Sequence, residues 1–340
     1  MNTVACVSPF VPPEWIAAHG WQPRWLALDP ARGRPGGGMR RGVCPYAGAL
    51  VDRAQSGLDA AAVVLTTACD QMRYAAAVME LGGCVPIFLF NLPSTWQSDA
   101  ARQLYLDELR RLGRFLVALG GQAPSPKRLR SLMRTYDAAR AAALAARTRL
   151  SARQFAARLV EVRGSALALA GEQEETDAGP PVGATAGLSG TAGRIPLALV
   201  GGPLPEKDYA LLDWVEQAGA CIALDGSEGG ERTLPAAFDR RRVQEDPLAA
   251  LAEAYFGGIP DVFQRPNHRL FEWLGQQMAA RGVRGLLLRR YVWCDLWHAE
   301  VQRLRQWSPV PLLDLDVDYD GQGTPERTLG RLEAFLEMLR

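Results

Sequence analysis

The sequence predicts an α/β protein made of two doubly wound parallel-sheet domains joined by helices. Three observations predict it. Short β-rich runs alternate with longer runs of helical period in both halves of the chain. Those short runs are apolar throughout rather than at every second residue, as in a parallel sheet covered on both faces. Between the halves lie a wholly helical stretch, from Ser98 to about Ala170, and then "GEQEETDAGPPVGATAGLSGTAGR", Gly171 to Arg194. That last segment has almost no large apolar residue and reads as a flexible linker or loop. The expected divisions are therefore 1–170 for an N-terminal α/β domain plus helical region, 171–194 for the linker, and 195–340 for a C-terminal α/β domain.

Each element follows from its own residues. "VACV" is a first strand, "PPEWIAAHG" a short helix and "RWLAL" a second strand. "CPYAGALVDRAQSG" is helical, "AAAVVLTT" a strand, "DQMRYAAAVMELGG" helical and "CVPIFLFNLP" a strand. "SDAARQLYLDELRRLGRFLVAL" has a serine at the N-cap and apolar residues three and four apart. The second half opens with "IPLALVGGPLP" (strand), "EKDYALLDWVEQAG" (helix) and "ACIALDG" (strand). It closes with "RLFEWLGQQMAARG" (helix), "VRGLLLRRYV" (strand), "CDLWHAEVQRLRQ" (helix), "VPLLDLDVDY" (strand) and "PERTLGRLEAFLEMLR" (helix). "GGPLP" at Gly201 lacks the spacing of a dinucleotide fingerprint or a P-loop, so it reads as a plain strand-to-helix turn.

Composition narrows the function classes. The 340 residues are 48% hydrophobic and 22% charged, enough for real cores, and the formal net charge is +1. That balance makes no electrostatic case for nucleic acid or an anionic membrane. No apolar run approaches the ~20 residues of a membrane helix. The opening "MNTVACVSPFVPPEW" lacks a signal peptide's positive and apolar regions, so a soluble cytoplasmic protein is expected. With only three histidines, histidine-cluster chemistry is not expected. The six cysteines are scattered and form no CxxC, which argues against a disulfide framework and a zinc ribbon.

Three of those cysteines share a setting. "TTACD" follows a strand and opens a helix at Cys69, and "RRYVWCD" does the same at Cys294. The next strands begin "CVPIFLF" and "PVPLLDL", so the unit reads as a repeat. Both Cys-Asp pairs then lie beyond the carboxyl end of a strand, the edge where open α/β sheets bind ligands. Cys44 precedes Pro45, a good first helical residue. At a helix N-terminus the dipole and free N–H groups should lower a thiol's pKa and favour the thiolate that soft metals require. Asp70 and Asp295 should cap their helices. Three thiolates suit an iron–sulfur cluster or a zinc site better than a nucleophile-plus-base pair. A cubane on three cysteines would leave one iron open to water or substrate.

Over nearly its whole length the chain resembles the 2-hydroxyacyl-CoA dehydratase and benzoyl-CoA reductase D-component family. The resemblance is carried by "VPPEWIAAHGWQP", similar to that family's P-E-E-L-x-x-A-A-G opening, by "CPYAGAL" and by "LTTACDQMRYAAAVMELGGCVPIFLFNLP". In the second half it is carried by "LVGGPLPEKDYALLDWVEQAGACIALDGSEGGERT", "LLLRRYVWCDLWHAE" and "TLGRLEAFLEML". The resemblance implies a [4Fe-4S] cluster between two α/β domains, held by the positions that match Cys44, Cys69 and Cys294. It departs from the family at Ser227 and Glu228, where members often carry a cysteine. It also lacks their helical extension before the opening motif and adds the Gly/Ala-rich insert.

By that resemblance the chain is a subunit of a radical 2-hydroxyacyl-CoA dehydratase or an aryl-CoA reductase. The implied partners are a homologous sister subunit or a second copy, and a separate ATP-hydrolysing iron–sulfur activator. The chain itself carries no P-loop, kinase glycine loop or dinucleotide fingerprint with which to energise an electron. Two alternatives are a non-catalytic electron-relay sister subunit and a homodimeric iron–sulfur reductase acting on a non-CoA substrate. Glu14 is the expected proton-transfer group if it faces the cleft, and a dipole-stabilised first-turn acid if it does not. His298, one turn after Cys294, reads as a partly exposed helix histidine. Cys6, Cys84 and Cys221 read as structural. Arg73 and Arg232 are candidates for CoA phosphates by charge alone.

Overall fold

A computed structural model describes residues 2–26, 28, 42–172, 193–317 and 325–340. All the predicted strands are present: β1 (Thr3–Cys6), β2 (Gln22–Trp25), β3 (Ala62–Thr66), β4 (Ile87–Phe90), β5 (Ile195–Gly201), β6 (Ala220–Gly226), β7 (Gly285–Tyr291) and β8 (Leu312–Val317). They form two four-stranded sheets in the orders β2-β1-β3-β4 and β6-β5-β7-β8. Every pairing is parallel. The order is the same in both, with the second strand outside the first and the third beside it. The repeat around the two Cys-Asp pairs is therefore a repeat of sheet topology.

The continuous apolar strands are explained by cover on both faces. Leu197, Leu199 and Leu287 pack with α7 (Ala210–Gln217) and α12 (Pro325–Leu339). The alternate residues Ala198, Val200, Leu286 and Leu288 pack with α10 (His268–Ala280) and α11 (Asp295–Trp307). Around the first sheet, α2 (Pro45–Gln55) and α3 (Asp70–Leu81) take one face. The other meets α1 (Pro13–Ala18), α4 (Asp99–Ala118), α5 (Pro126–Ala145) and α6 (Ala152–Glu172). Ser98 and Ser125 cap α4 and α5 by accepting from the N–H groups of Ala101 and Arg128, each at 3.2 Å. Along α4 the residues Tyr105, Leu109, Leu112 and Leu116 are fully buried, and each such side chain contributes about 1.5–3 kcal/mol.

Two short helices went unread in the sequence: α8 (Arg240–Glu245) and α9 (Pro247–Ala252), capped by the carboxylates of Asp239 and Asp246. With the segment after them they carry Val243, Leu251, Phe256, Ile259 and Phe263 into the cluster built by α1, α4 and α5. The chain thus returns from the second half onto the helices of the first. We propose two domains divided at 171–194, with this return segment binding them; residues 173–192 of the predicted linker lie outside the described residues. The "GGPLP" turn is indeed a strand end, and its first glycine is forced. Gly201 has φ +144°, and a Cβ there would sit 1.8 Å from the carbonyl oxygen of Arg289 on β7.

Candidate functional site

In a parallel sheet every carboxyl end lies at one edge, and ligands bind where the strand order switches direction. The switch in the first sheet falls between β1 and β3, and in the second between β5 and β7. The residues that leave these strands line a single cavity of about 300 Å³, near the small end of the range of about 300–1,000 Å³ for ligand pockets. Val7 to Phe10 come from β1, Thr66 to Cys69 from β3, Gly202 and Pro203 from β5, and Tyr291 and Cys294 from β7. Glu228, just after β6, completes one wall. The two switch points thus face each other across one space.

All three singled-out cysteines line that cavity, and each is the N-cap of a helix: Cys44 of α2, Cys69 of α3 and Cys294 of α11. The aspartates after them do not cap. Asp70 and Asp295 are the first residues of their helices, and Asp70 instead faces Arg73 at 3.6 Å. Gln71 joins two of the cysteines. Its Oε1 accepts from the N–H of Cys44 at 2.8 Å and its Nε2 donates to the carbonyl of Gly42 at 3.2 Å. The rings of Tyr46 and Tyr291 stack across the sheets with centroids 6.3 Å apart. Among the described residues no three His, Cys, Asp or Glu side chains are placed to hold one metal ion. The three cysteines share the cavity without forming such a group.

The thiols are less acidic than their helix positions suggested. Burial pushes Cys69 up to about 11 and Cys294 up to about 12, and it raises Cys44 as well. First-turn N–H groups oppose this, those of Met72 and Gln71 at Cys69, of Trp297 at Cys294 and of Ala47 and Tyr46 at Cys44. The cost of desolvating a thiolate beside other thiols exceeds what the dipole returns. Each of Cys69 and Cys294 is raised further by the cysteines around it, so the three share one electrostatic environment. At pH 8 the metal-free thiols at Cys69 and Cys294 should be thiolate in only about one part in 1,000 or less. Iodoacetamide should accordingly modify exposed Cys84 at least about tenfold faster than Cys69 or Cys294, read by peptide mass spectrometry. Equal labelling at Cys69 would show that the cavity stabilises its thiolate without metal.

Other expected site residues lie elsewhere. Glu14 is fully buried but faces the first core instead of the cavity. Its Oε1 accepts from Arg140 Nη1 at 2.6 Å and its Oε2 from the Tyr255 hydroxyl at 2.7 Å. A carboxylate in that core needs a counter-charge, and α5 supplies it. Arg232 is no surface phosphate ligand. It is buried over the Trp297 ring, donating to the carbonyls of Gly226 at 2.7 Å and Pro260 at 2.8 Å and pairing with Asp261. Arg73 is exposed at the cavity rim, where a phosphate could reach it. His298 is exposed and does not line the cavity. Cys6 and Cys221 are buried in β1 and β6, and burial raises the thiol of each, Cys6 to about 12.

Comparison with known families decides the relationship. The model of the 2-hydroxyglutaryl-CoA dehydratase D-component matches residues 9–339. The chain belongs to that family. No individually curated protein matches it. As a D-component it is a dehydratase-type subunit whose family works on CoA thioesters, and the described residues contain no helix long and apolar enough to cross a membrane. The residues that line the cavity fit the group this family is known for. Three thiols on one cavity are the soft donor type that iron–sulfur clusters take. Sequence reasoning missed Gln71, Tyr46 and Tyr291, which carry no motif and become neighbours of the cysteines only through the fold.

Proposed function

We propose that this D-component holds a [4Fe-4S] cluster on Cys44, Cys69 and Cys294 and serves ATP-activator-dependent radical chemistry on a CoA thioester. The observation that carries the reading is the meeting of three cysteine N-caps, from two different sheets, at one cavity. When bound, the cluster supplies a single low-potential electron and an iron that can act as a Lewis acid. The chain's own residues supply the setting. Gln71 ties the backbone of Cys44 to α3, the helix that Cys69 opens. Phe10, Val262, Phe263 and Leu296 give the cavity apolar walls that exclude water from the substrate carbonyl. A second cavity of about 180 Å³ adjoins the first through Tyr46 and Pro203. Its walls include Trp25, Leu26, Leu204 and Tyr209, suited to an acyl or aryl group. Arg73 at the rim is placed for a CoA phosphate.

The partners are a sister subunit or a second copy and an ATP-hydrolysing activator, and the setting is the cytoplasm. The test is to assay the anaerobically purified chain alone and then with a sister subunit, activator, ATP and a reductant, on 2-hydroxyacyl-CoA and aryl-CoA thioesters. Turnover is expected only in the full mixture. Turnover by the isolated chain without ATP would refute the activator mechanism. Silence of the full mixture across several thioesters would favour the relay or non-CoA alternatives.

A further inference from the structure

One group in the cavity is unused by that reading. Glu228 lines the same space as the three cysteines, and its charge is felt at all three sulfurs. Its backbone is pinned from every side. The N–H of Glu228 donates to the carbonyl of Gly202 at 3.3 Å, and its carbonyl accepts from the Thr233 hydroxyl at 2.8 Å. Arg163, buried in α6, holds the carbonyls of Gly229 and Gly230, the latter at 2.7 Å, and Arg232 holds that of Gly226. Two buried arginines are thus committed to fixing this one loop. The carboxylate at its centre nevertheless has no hydrogen-bond or ion-pair partner among the described residues. The neighbouring acid of the cavity wall, Asp261, is taken by Arg232.

Glu228 is half-buried, and its carboxylate opens into the cavity with no donor or counter-charge from the described residues. Burial and the nearby Asp261 push Glu228 up to about 8, against the pull of Arg232 and Arg163. A rigidly mounted, unpartnered acid facing a metal-binding cavity is arranged as a ligand whose partner is the metal. We infer that the carboxylate of Glu228 is the fourth protein ligand of the cluster, bound to the iron that Cys44, Cys69 and Cys294 leave open. The inference rests on the three-cysteine reading above. An oxygen ligand beside three thiolates makes that one iron chemically distinct, harder, and exchangeable with a substrate oxygen. With a cluster bound, Glu228 would hold the position that water or a substrate oxygen would otherwise take.

The test uses the full chain, reconstituted anaerobically, with iron counts and electron paramagnetic resonance of the reduced cluster in water enriched in oxygen-17. The wild-type signal should show no oxygen-17 broadening, because its fourth ligand does not exchange with solvent. In Glu228→Ala, water replaces the carboxylate, so broadening should appear at an unchanged iron count. Glu228→Cys should keep its iron, stay unbroadened and shift the signal toward that of a four-thiolate cluster. Equal broadening in wild type and Glu228→Ala, or superimposable unbroadened signals in both, would overturn the inference while leaving the cysteines in place. Absence of iron from the wild type would instead overturn the underlying cluster reading, and the inference with it. Should Glu228→Ala fail to fold by circular dichroism, the isosteric Glu228→Gln is read in its place against the same two outcomes.

Discussion

Serine at Cys44, Cys69 or Cys294 should each reduce the iron of the anaerobically reconstituted protein from about four per chain to less than about one. Visible absorbance should fall with it. A hydroxyl is a poor ligand for soft iron–sulfide chemistry, and two thiolates from this cavity leave too few anchors for a cubane. The fold itself should survive, because a serine hydroxyl at each N-cap can accept from the same first-turn N–H groups that face the sulfur. Cys84→Ser and Cys221→Ser serve as controls. Cys84 is exposed and Cys221 lies within β6, and neither lines the cavity, so both variants should keep full iron. Full iron in Cys294→Ser would detach the second sheet from the site, and iron loss in Cys221→Ser would mean that the wrong set was chosen.

Replacing Arg140 by methionine should cost about 3–5 kcal/mol, a large share of the ~5–15 kcal/mol that holds a typical domain together. Burial works against the charge of this guanidinium. The adjoining Glu14, Tyr255 and Asp137 outweigh it, holding Arg140 above its usual range. Removing it leaves Glu14 as an uncompensated charge in a fully buried site, with only the Tyr255 hydroxyl still donating. Urea unfolding would measure the loss, and a cost below about 1 kcal/mol would show that the pair contributes little. Glu14→Gln separates two roles for the acid. Lower stability with normal iron and turnover is the expected outcome for an ion pair. Normal stability with lost turnover would return Glu14 to proton transfer.

The cysteines were legible because their setting is local. A strand run, a cysteine and a helix start are adjacent in sequence, and Pro45 marks the boundary at Cys44. Glu14 was misplaced for a related reason: "PPEW" shows an acid in a first helical turn, but which way that turn faces depends on α5, more than a hundred residues later. Arg232 is a phosphate candidate by charge alone, and charge does not show which side chains are buried. Its burial comes from Trp297 and from Pro260 and Asp261, none near it in sequence. The helices α8 and α9 escaped because six residues are too few to display a 3.6-residue period.

By itself the sequence determined the strands, the long helices and the parallel class, because each rests on spacings of two to four residues. It also determined that three cysteines stand at helix starts beyond strand ends. Only the tertiary structure decided that two switch points face one another, so that residues from β1, β3, β5, β6 and β7 enclose one cavity. It likewise reversed the expected sign of the thiol pKa shifts. A helix N-terminus is visible in the local chain, but desolvation depends on everything packed around the sulfur, and here it is the larger effect. The same holds for Glu228, an ordinary loop acid in sequence. Arg163 from α6 and Arg232 from its own loop hold the neighbouring carbonyls beside the cavity, and among the described residues no donor reaches its carboxylate.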